Sequence, residues 1–200
     1  MQVSSAEQVL QLIGRLGIVR PRDLAPYGVT RSCLTRLVRQ GRLQRVGRGL
    51  YVLPEADLTP QHALAEVAKR VPQGVVCLLS ALQFHDLTTQ APFEIWLAIP
   101  RGSRLPRLDY PPLRVLRFSR ASWQAGIEAH VIEGVEVKVY CPAKTVADCF
   151  KFRNQVGLDV AIEALRDCRD KRSCTPVELW HYAQICRMES VMRPYLEATL

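Results

Sequence analysis

Apolar and polar residues follow a helical period from the start of the chain. Val9, Ile13 and Leu16 recur at helical spacing, and Leu10 and Leu12 widen the stripe. Ahead of them, Ser4-x-x-Glu7 has capping-box spacing, in which hydroxyl and carboxylate each satisfy a backbone amide; Gly17 is a natural stop. A second, short helix is expected to begin with Pro21 in its first turn, bury Leu24 and end near Gly28. Thr30 then caps a third helix running to about Gln40, with Gly41 behind it. Residues 43–46 and 50–53 read as strands joined by Gly47-Arg48-Gly49, whose glycines permit the positive φ angles of a tight hairpin.

Past Pro54 and Glu55 the pattern changes. Thr59-Pro60 signals a helix through about Arg70 that buries Leu64, Val67 and Ala68. Residues 75–79 form a short apolar run suited to a buried strand, and Ser80 is placed to cap a short helix carrying Leu82 and Phe84. Residues 93–99 and 113–118 read as strands, and 130–132 with 135–140 as a hairpin around Glu133-Gly134. Helices are expected at 143–152, 158–169, 176–187 and 193–199. The fold class is α+β. An N-terminal winged helix-turn-helix over residues 1–54 is followed by a mixed α+β domain over residues 55–200 that ends in a helical layer.

Projecting the third helix at 100° per residue separates two faces. Arg31, Ser32, Thr35, Arg36, Arg39 and Gln40 share one half, while Cys33, Leu34, Leu37 and Val38 share the other. The polar half has three arginines and no acid. An ordinary solvated helix mixes signs, because acid–base pairs four residues apart stabilise it; a recognition helix lying in a major groove gives that up. The hairpin after it carries Arg45 and Arg48, placed to touch phosphate or a narrow minor groove.

Charge sharpens this picture. The chain carries a net +8 with a pI near 9.4. Residues 1–54 contain nine arginines, no lysine, and only Glu7 and Asp23 as acids, whereas the rest of the chain is nearly balanced. A general preference for arginine explains the replacement of lysine but not the missing acids. Double-stranded DNA is the partner this distribution fits, with Arg31, Ser32, Thr35 and Arg36 at base edges and Arg39, Arg45 and Arg48 at the backbone.

Other classes fit poorly. No stretch approaches the ~18 apolar residues of a membrane span, and Met1–Ser5 lacks the basic and apolar regions of a signal peptide. Seven cysteines is an odd number and none are spaced CxxC, so a disulfide framework or zinc ribbon is not expected, and a reducing cytoplasm is the expected location. Cys174, beside Lys171 and Arg172, is the one thiol with a basic sequence neighbourhood. His62, His130 and His181 are too dispersed for metal-ligand spacing, and neither GxGxxG nor a Walker A loop is present, so neither metal nor cofactor is expected.

Two residue patterns have the outward form of enzyme centres. Glu136-Val-Lys138 on a strand has the form of a metal-dependent nuclease centre, with Asp109 as the upstream acid. Asp109, however, lies in a proline-broken loop, and alternation of Glu136 and Lys138 with Val135, Val137 and Val139 equally describes a half-buried hairpin. Ser80, His85 and Asp86 do not form a hydrolase triad: Ser80 and His85 fall on different helix faces, and there is no GxSxG. His85 or Asp86 instead suits a turn held by hydrogen bonds. Trp96, Trp123, Trp180 and Tyr195 read as core or interface anchors.

Three segments carry a family likeness: Arg45-Val-Gly-Arg-Gly-Leu-Tyr-Val-Leu-Pro54; Leu79-Ser-Ala-Leu-Gln-Phe-His-Asp-Leu87, before a strand ending in Ile99-Pro-Arg-Gly102; and Pro142-Ala-Lys-Thr-Val-Ala-Asp-Cys-Phe150, followed by Asp159-Val-Ala-Ile-Glu-Ala-Leu165. In this order they resemble the AbiEi-like antitoxins of type IV abortive-infection toxin–antitoxin systems. Lys144 and Cys149 depart from the family pattern, where arginine and an aliphatic residue are expected. The resemblance implies a winged-helix repressor that binds operator repeats before its own operon. It also implies a C-terminal domain that counteracts a co-encoded nucleotidyltransferase toxin without a stable complex, and no enzymatic activity.

Overall fold

The computed structural model describes residues 5–56 and 59–199. Its contacts divide the chain into two units, Met1–Pro72 with His130–Val137, and Gln73–Ala129 with Lys138–Leu200.

The first unit opens with α1 (Ala6–Leu16), which buries Val9 and Ile13. Its cap is one residue later than the pattern suggested: Ser5 Oγ accepts from Gln8 N, and Gln8 Oε1 accepts from Ser5 N, both at 3.2 Å. Ser4 lies outside the described residues. Gly17 ends the helix at φ +65°, and a Cβ there would collide with the Glu133 carbonyl, so only glycine fits. α2 (Pro21–Leu24) runs into a 3-10 turn, Ala25–Tyr27, closed by Gly28 at φ +75°. α3 (Arg31–Arg39) is capped by Thr30, whose Oγ1 accepts from Cys33 N at 3.3 Å, and it buries Leu34 and Leu37. These apolar positions join Val19, Val29 and Leu43 in one core.

β1 (Gln44–Gly47) and β2 (Leu50–Val52) form an antiparallel hairpin with an irregularity between Arg45 and Gly47. Only Gly49 of the two tip glycines takes a positive φ, +72°. Gly47 serves a different need, since a Cβ on it would strike the Arg70 guanidinium and the Glu66 carboxylate. Those two residues belong to α4 (His62–Arg70), where they form an ion pair of 2.6 Å. α4 is tied to the start of α2 by Lys69, which meets Asp23 at 3.0 Å, and by Arg20, whose Nη1 donates to the Lys69 carbonyl at 2.5 Å. The unit therefore runs on past Pro54. α4 buries Ala65, Glu66 and Val67, and leaves Leu64 and Ala68 half-buried. Thr59 is not its cap. Thr59 N and Oγ1 instead donate to Glu133 Oε1, at 2.7 and 3.0 Å.

The second unit is built on β3 (Val75–Val76), β4 (Ile95–Pro100), β5 (Leu113–Phe118), β6 (Ile127–Ile132) and β7 (Val135–Tyr140), in the sheet order β5-β4-β3-β7-β6. β4 runs antiparallel to β3 and parallel to β5, and β3 is parallel to β7. The tip of the β6–β7 hairpin, His130–Val137, is counted with the first unit. Its turn uses Glu133 at φ +50° and Gly134 at φ +73°, the pair of positive values that a two-residue hairpin turn demands. Val135, Val137 and Val139 are buried, Glu136 is exposed and Lys138 is intermediate, as the alternation predicts.

The helices are α5 (Leu78–Phe84), α6 (Arg120–Gln124), α7 (Pro142–Lys151), α8 (Arg153–Val156), α9 (Leu158–Asp170), α10 (Pro176–Cys186) and α11 (Glu189–Thr199). α7 is central and packs against α5, α9 and α10. The apolar run at 75–79 yields a strand of two residues, because α5 begins at Leu78. Ser80 consequently sits inside α5 rather than capping it, and its buried Oγ accepts from Trp96 N at 3.0 Å. α6 and α8, of five and four residues, lack a long enough apolar period to be read from sequence. Cys168 and Cys174 form a disulfide across the turn after α9, with Cα atoms 5.9 Å apart. This corrects the expectation for the cysteines at one pair, and it removes Cys174 as a reactive thiol. The proximity follows from α9 ending at Asp170 and the chain turning back at Arg172, φ +52°.

Candidate nucleic-acid interface

Helix α3 exposes Arg31, Ser32, Thr35, Arg36 and Arg39, and buries Leu34 and Leu37 beneath them. The packing of the apolar half fixes the orientation of the polar half. Among the described residues Arg31, Arg36, Arg39 and Arg48 make no ion pair, so their guanidinium groups are available to an external anion. Thr30 Oγ1 and Ser32 Oγ are 2.8 Å apart, and Thr35 Oγ1 donates to the Arg31 carbonyl at 3.0 Å. Thr35 is therefore left with an acceptor lone pair and a methyl group to present outward. Arg42, at the far end, is neutralised by Glu7 at 2.5 Å.

The hairpin is held beside this helix by backbone pairing. Val19 N donates to the Tyr51 carbonyl and Tyr51 N donates to the Val19 carbonyl, each at 3.0 Å. Arg45 Nε donates to the Gly47 carbonyl at 3.1 Å, which pins that side chain to the hairpin tip. The result is a cleft of about 530 Å³ whose walls include Arg31 and Thr35 from α3, Arg45 and Arg48 from the hairpin, and Arg20 and Arg22 from the start of α2. Five arginines thus line one concavity, of which Arg20 is engaged by the Lys69 carbonyl and Arg22 lies 3.8 Å from Asp23. Burial, and then Arg22 and Arg70 nearby, lower the pKa of Arg20. A site that crowds cations in this way favours a polyanion over a neutral ligand.

Arg20, Arg22 and Tyr51 were not singled out from the sequence. Arg20-Pro-Arg22 flanks the helix-turn-helix, and basic residues on both sides of a helix-starting proline are a signal that could have found the first two. Tyr51 gives no such signal, because an aromatic in a strand reads equally well as core.

Asp109 is exposed in a bend ahead of β5 and not on a strand. Among the described residues no group of three or more His, Cys, Asp and Glu side chains is arranged to hold a metal ion. His85 Nε2 meets the Tyr140 carbonyl at 2.8 Å, and Thr145 Oγ1 donates to the same oxygen at 3.1 Å. Asp86 pairs with Lys171 at 3.1 Å. Lys144 and Asp148 form a fully buried ion pair, with the ammonium 4.4 Å from the centre of the Tyr140 ring and 5.0 Å from that of Phe118. Cys186 Sγ donates to the other Asp148 oxygen at 3.2 Å, and burial pushes this thiol up to about 12. His85, Thr145, Lys144, Asp148 and Cys186 are thus committed to contacts within the fold, while the Asp86–Lys171 pair lies at the surface. Trp96 is buried, as expected of an anchor. No helix among the described residues is long and apolar enough to cross a membrane.

Comparison with known proteins agrees with the sequence reading where it applies. Residues 7–54 match the family described as "Transcriptional regulator, AbiEi antitoxin", so the resemblance to AbiEi antitoxins holds over the helices and hairpin that build the cleft. No curated protein is significantly similar to the chain in sequence. The fold is similar to that in the crystal structure of the RV2827C protein from Mycobacterium tuberculosis, with a TM-score of 0.62 and 16% identity. That similarity covers 100% of this chain and 82% of that one.

Proposed function

We propose that this chain, with an N-terminal region of the AbiEi antitoxin type of transcriptional regulator, is the DNA-binding repressor and antitoxin of a type IV toxin–antitoxin operon, acting in the cytoplasm as a binding protein and not as an enzyme. The observation that carries the reading is the cleft. An acid-free helix face and an arginine-tipped hairpin are held side by side by the Val19–Tyr51 pairing, which suits a recognition helix in the major groove with a wing on the adjacent backbone. In this reading Arg31, Ser32, Thr35 and Arg36 contact base edges of operator repeats, and Arg39, Arg45 and Arg48 contact phosphates. The α+β body beyond the hairpin counteracts a co-encoded nucleotidyltransferase toxin without a stable complex.

The test is a titration of the full chain against duplex DNA from upstream of its own reading frame, at physiological salt, with scrambled duplex as competitor. Wild type should prefer the upstream sequence, and Arg31→Ala/Arg36→Ala should lose that preference. Unchanged operator affinity in the double variant would sink the proposal. Co-expression with the neighbouring toxin should show protection by both proteins, because the arginines serve DNA and not the toxin.

A further inference from the structure

Residues 101–120 hold six arginines and one acid, Asp109, while the rest of the second unit is close to charge balance. Arg101, Arg104, Arg107, Arg114, Arg117 and Arg120 are all exposed. Among the described residues only Arg114 has an acid partner, Glu94 at 3.2 Å. This concentration is separate in sequence from the one in residues 1–54 and lies in the other unit.

The topology brings Arg101, Arg104, Arg114 and Arg117 to the β5 border of the sheet. β5 is the terminal strand of the sheet, so its outer edge has no strand beyond it among the described residues. Arg114 and Arg117 are on β5 itself. Arg101 and Arg104 are held near its C-terminal end, where Arg101 N donates to the Phe118 carbonyl at 2.8 Å and Arg117 Nη2 donates to the Ser103 carbonyl at 3.5 Å. At the opposite end, the parallel register of Ile95 with Leu113 brings the approaches to both strands together. Those approaches carry Phe93, 87% exposed, and Tyr110, 70% exposed. At these exposures much of each ring is accessible to a ligand. Arg114 is on β5 just past this end, its guanidinium carbon 4.3 Å from the centre of the buried Trp96 ring. Strand β5 spans roughly 16 Å at the usual rise per residue; Arg114 and Arg117, three residues apart, leave it on opposite faces, so cations flank this edge on both sides, with aromatics at one end.

We propose that this border binds single-stranded nucleic acid. The arginines track the sugar-phosphate backbone, and Phe93 and Tyr110 offer faces on which unpaired bases stack, the combination used by sequence-tolerant single-strand binders. A duplex hides its base faces and would leave both aromatics unused. An acidic peptide would satisfy the arginines but has no planar group for the rings.

The experiment uses the full chain in an Arg31→Ala/Arg36→Ala/Arg45→Ala/Arg48→Ala background, which strips the outward face of α3 and the hairpin of most of their cations. Fluorescence anisotropy with labelled single-stranded RNA and DNA of about ten nucleotides, within the ~4–16 that single-strand modules cover, is recorded at about 150 mM salt. Binding is expected, and Phe93→Ala/Tyr110→Ala should weaken it roughly tenfold or more. Arg104→Ala/Arg107→Ala should weaken it and flatten its salt dependence. All four positions are exposed, so unchanged thermal unfolding is expected. In the otherwise wild-type chain, Phe93→Ala/Tyr110→Ala should leave operator affinity intact, which separates this site from the proposed repressor surface. Absence of single-strand binding, or binding that survives loss of both aromatics, overturns the proposal. So does equal competition by unlabelled random duplex or by a polyglutamate peptide.

Discussion

Val19 and Tyr51 exchange both of their backbone hydrogen bonds, each 3.0 Å long. This one bridge adds the segment between α1 and α2 to the hairpin as a short third strand. It therefore decides that Arg48 and Arg31 line the same cleft instead of pointing at unrelated solvent.

Removing that bridge should uncouple the two walls. Val19→Pro deletes the donor to the Tyr51 carbonyl without adding charge. Net loss of a buried backbone bond costs on the order of 1–3 kcal/mol, so the melting temperature should fall while the helical circular dichroism is retained below it. Duplex affinity should fall at least as far as in Arg48→Ala. A variant that melts lower but binds wild-type-tight would show that the hairpin is not part of the interface.

Arg48→Ala should act on all duplexes alike. The residue is exposed at the hairpin tip with no protein partner among the described residues, so its role in the proposed interface is one phosphate contact. The slope of log affinity against log salt should become shallower by about one unit, with the ratio of operator to random binding preserved. Arg36→Ala should instead cost roughly 1–3 kcal/mol on the operator and relax base preference. A salt titration of both variants on two duplexes distinguishes these outcomes.

In the second unit, Asp148→Ala leaves the Lys144 ammonium buried beside Tyr140 and Phe118 with no counter-charge. Breaking a buried pair from one side costs about 3–5 kcal/mol, and urea denaturation should show a loss of that size. Lys144→Met/Asp148→Leu removes both charges and should recover most of it. A double variant as unstable as the single one would mean that the cost lies in packing and not in the unpaired charge.

Glu133 provides a pH test. Burial alone would raise its pKa, but the hydrogen bond with His62 and the two from Thr59 outweigh that and hold it below the usual carboxylate range. A carboxylate depressed by folding stabilises the native state above its unfolded pKa, and that contribution is lost as pH falls through the folded value. Between about pH 5 and pH 3 wild type should therefore lose more stability than Glu133→Gln, which lacks the titrating group. Parallel pH curves for the two proteins would exclude this contribution.

The first 54 residues were legible because each of their elements is encoded locally. Gly17, Gly28 and Gly41 stop helices at positive φ, and the Leu34/Leu37 stripe fixes which face of α3 is outward. The same local pattern is why Arg31, Arg36 and Arg39 are exposed on one face of α3. What was missed depends on distant partners. Ser80 was read as a cap because a serine before an apolar run has that local meaning, whereas its actual partner is Trp96 N, sixteen residues away. Gly47 has the local look of a turn glycine, yet its φ is not positive and what lies over it is the distant Arg70–Glu66 pair of α4, which a side chain there would push aside. The buried Lys144 carried no sequence signal beyond its departure from the family's arginine. Its environment is built from Phe118, Tyr140 and Asp148, which only the fold brings together.

The first compact unit is also discontinuous in the chain. It gathers α4 and the Glu133–Gly134 turn as well as the residues that match the AbiEi antitoxin family. A gene fusion that exchanged only residues 1–54 would leave the new Gly17 position facing an old Glu133 turn, and the new hairpin facing an old Glu66–Arg70 pair. On the proposed DNA-binding reading, specificity would therefore not transfer as a cassette of residues 1–54. Replacing Arg31, Ser32, Thr35 or Arg36 on the outward face of α3 leaves the Gly17–Glu133 and Gly47–α4 contacts in place, so on that reading point changes there alter specificity more readily than recombination at Pro54.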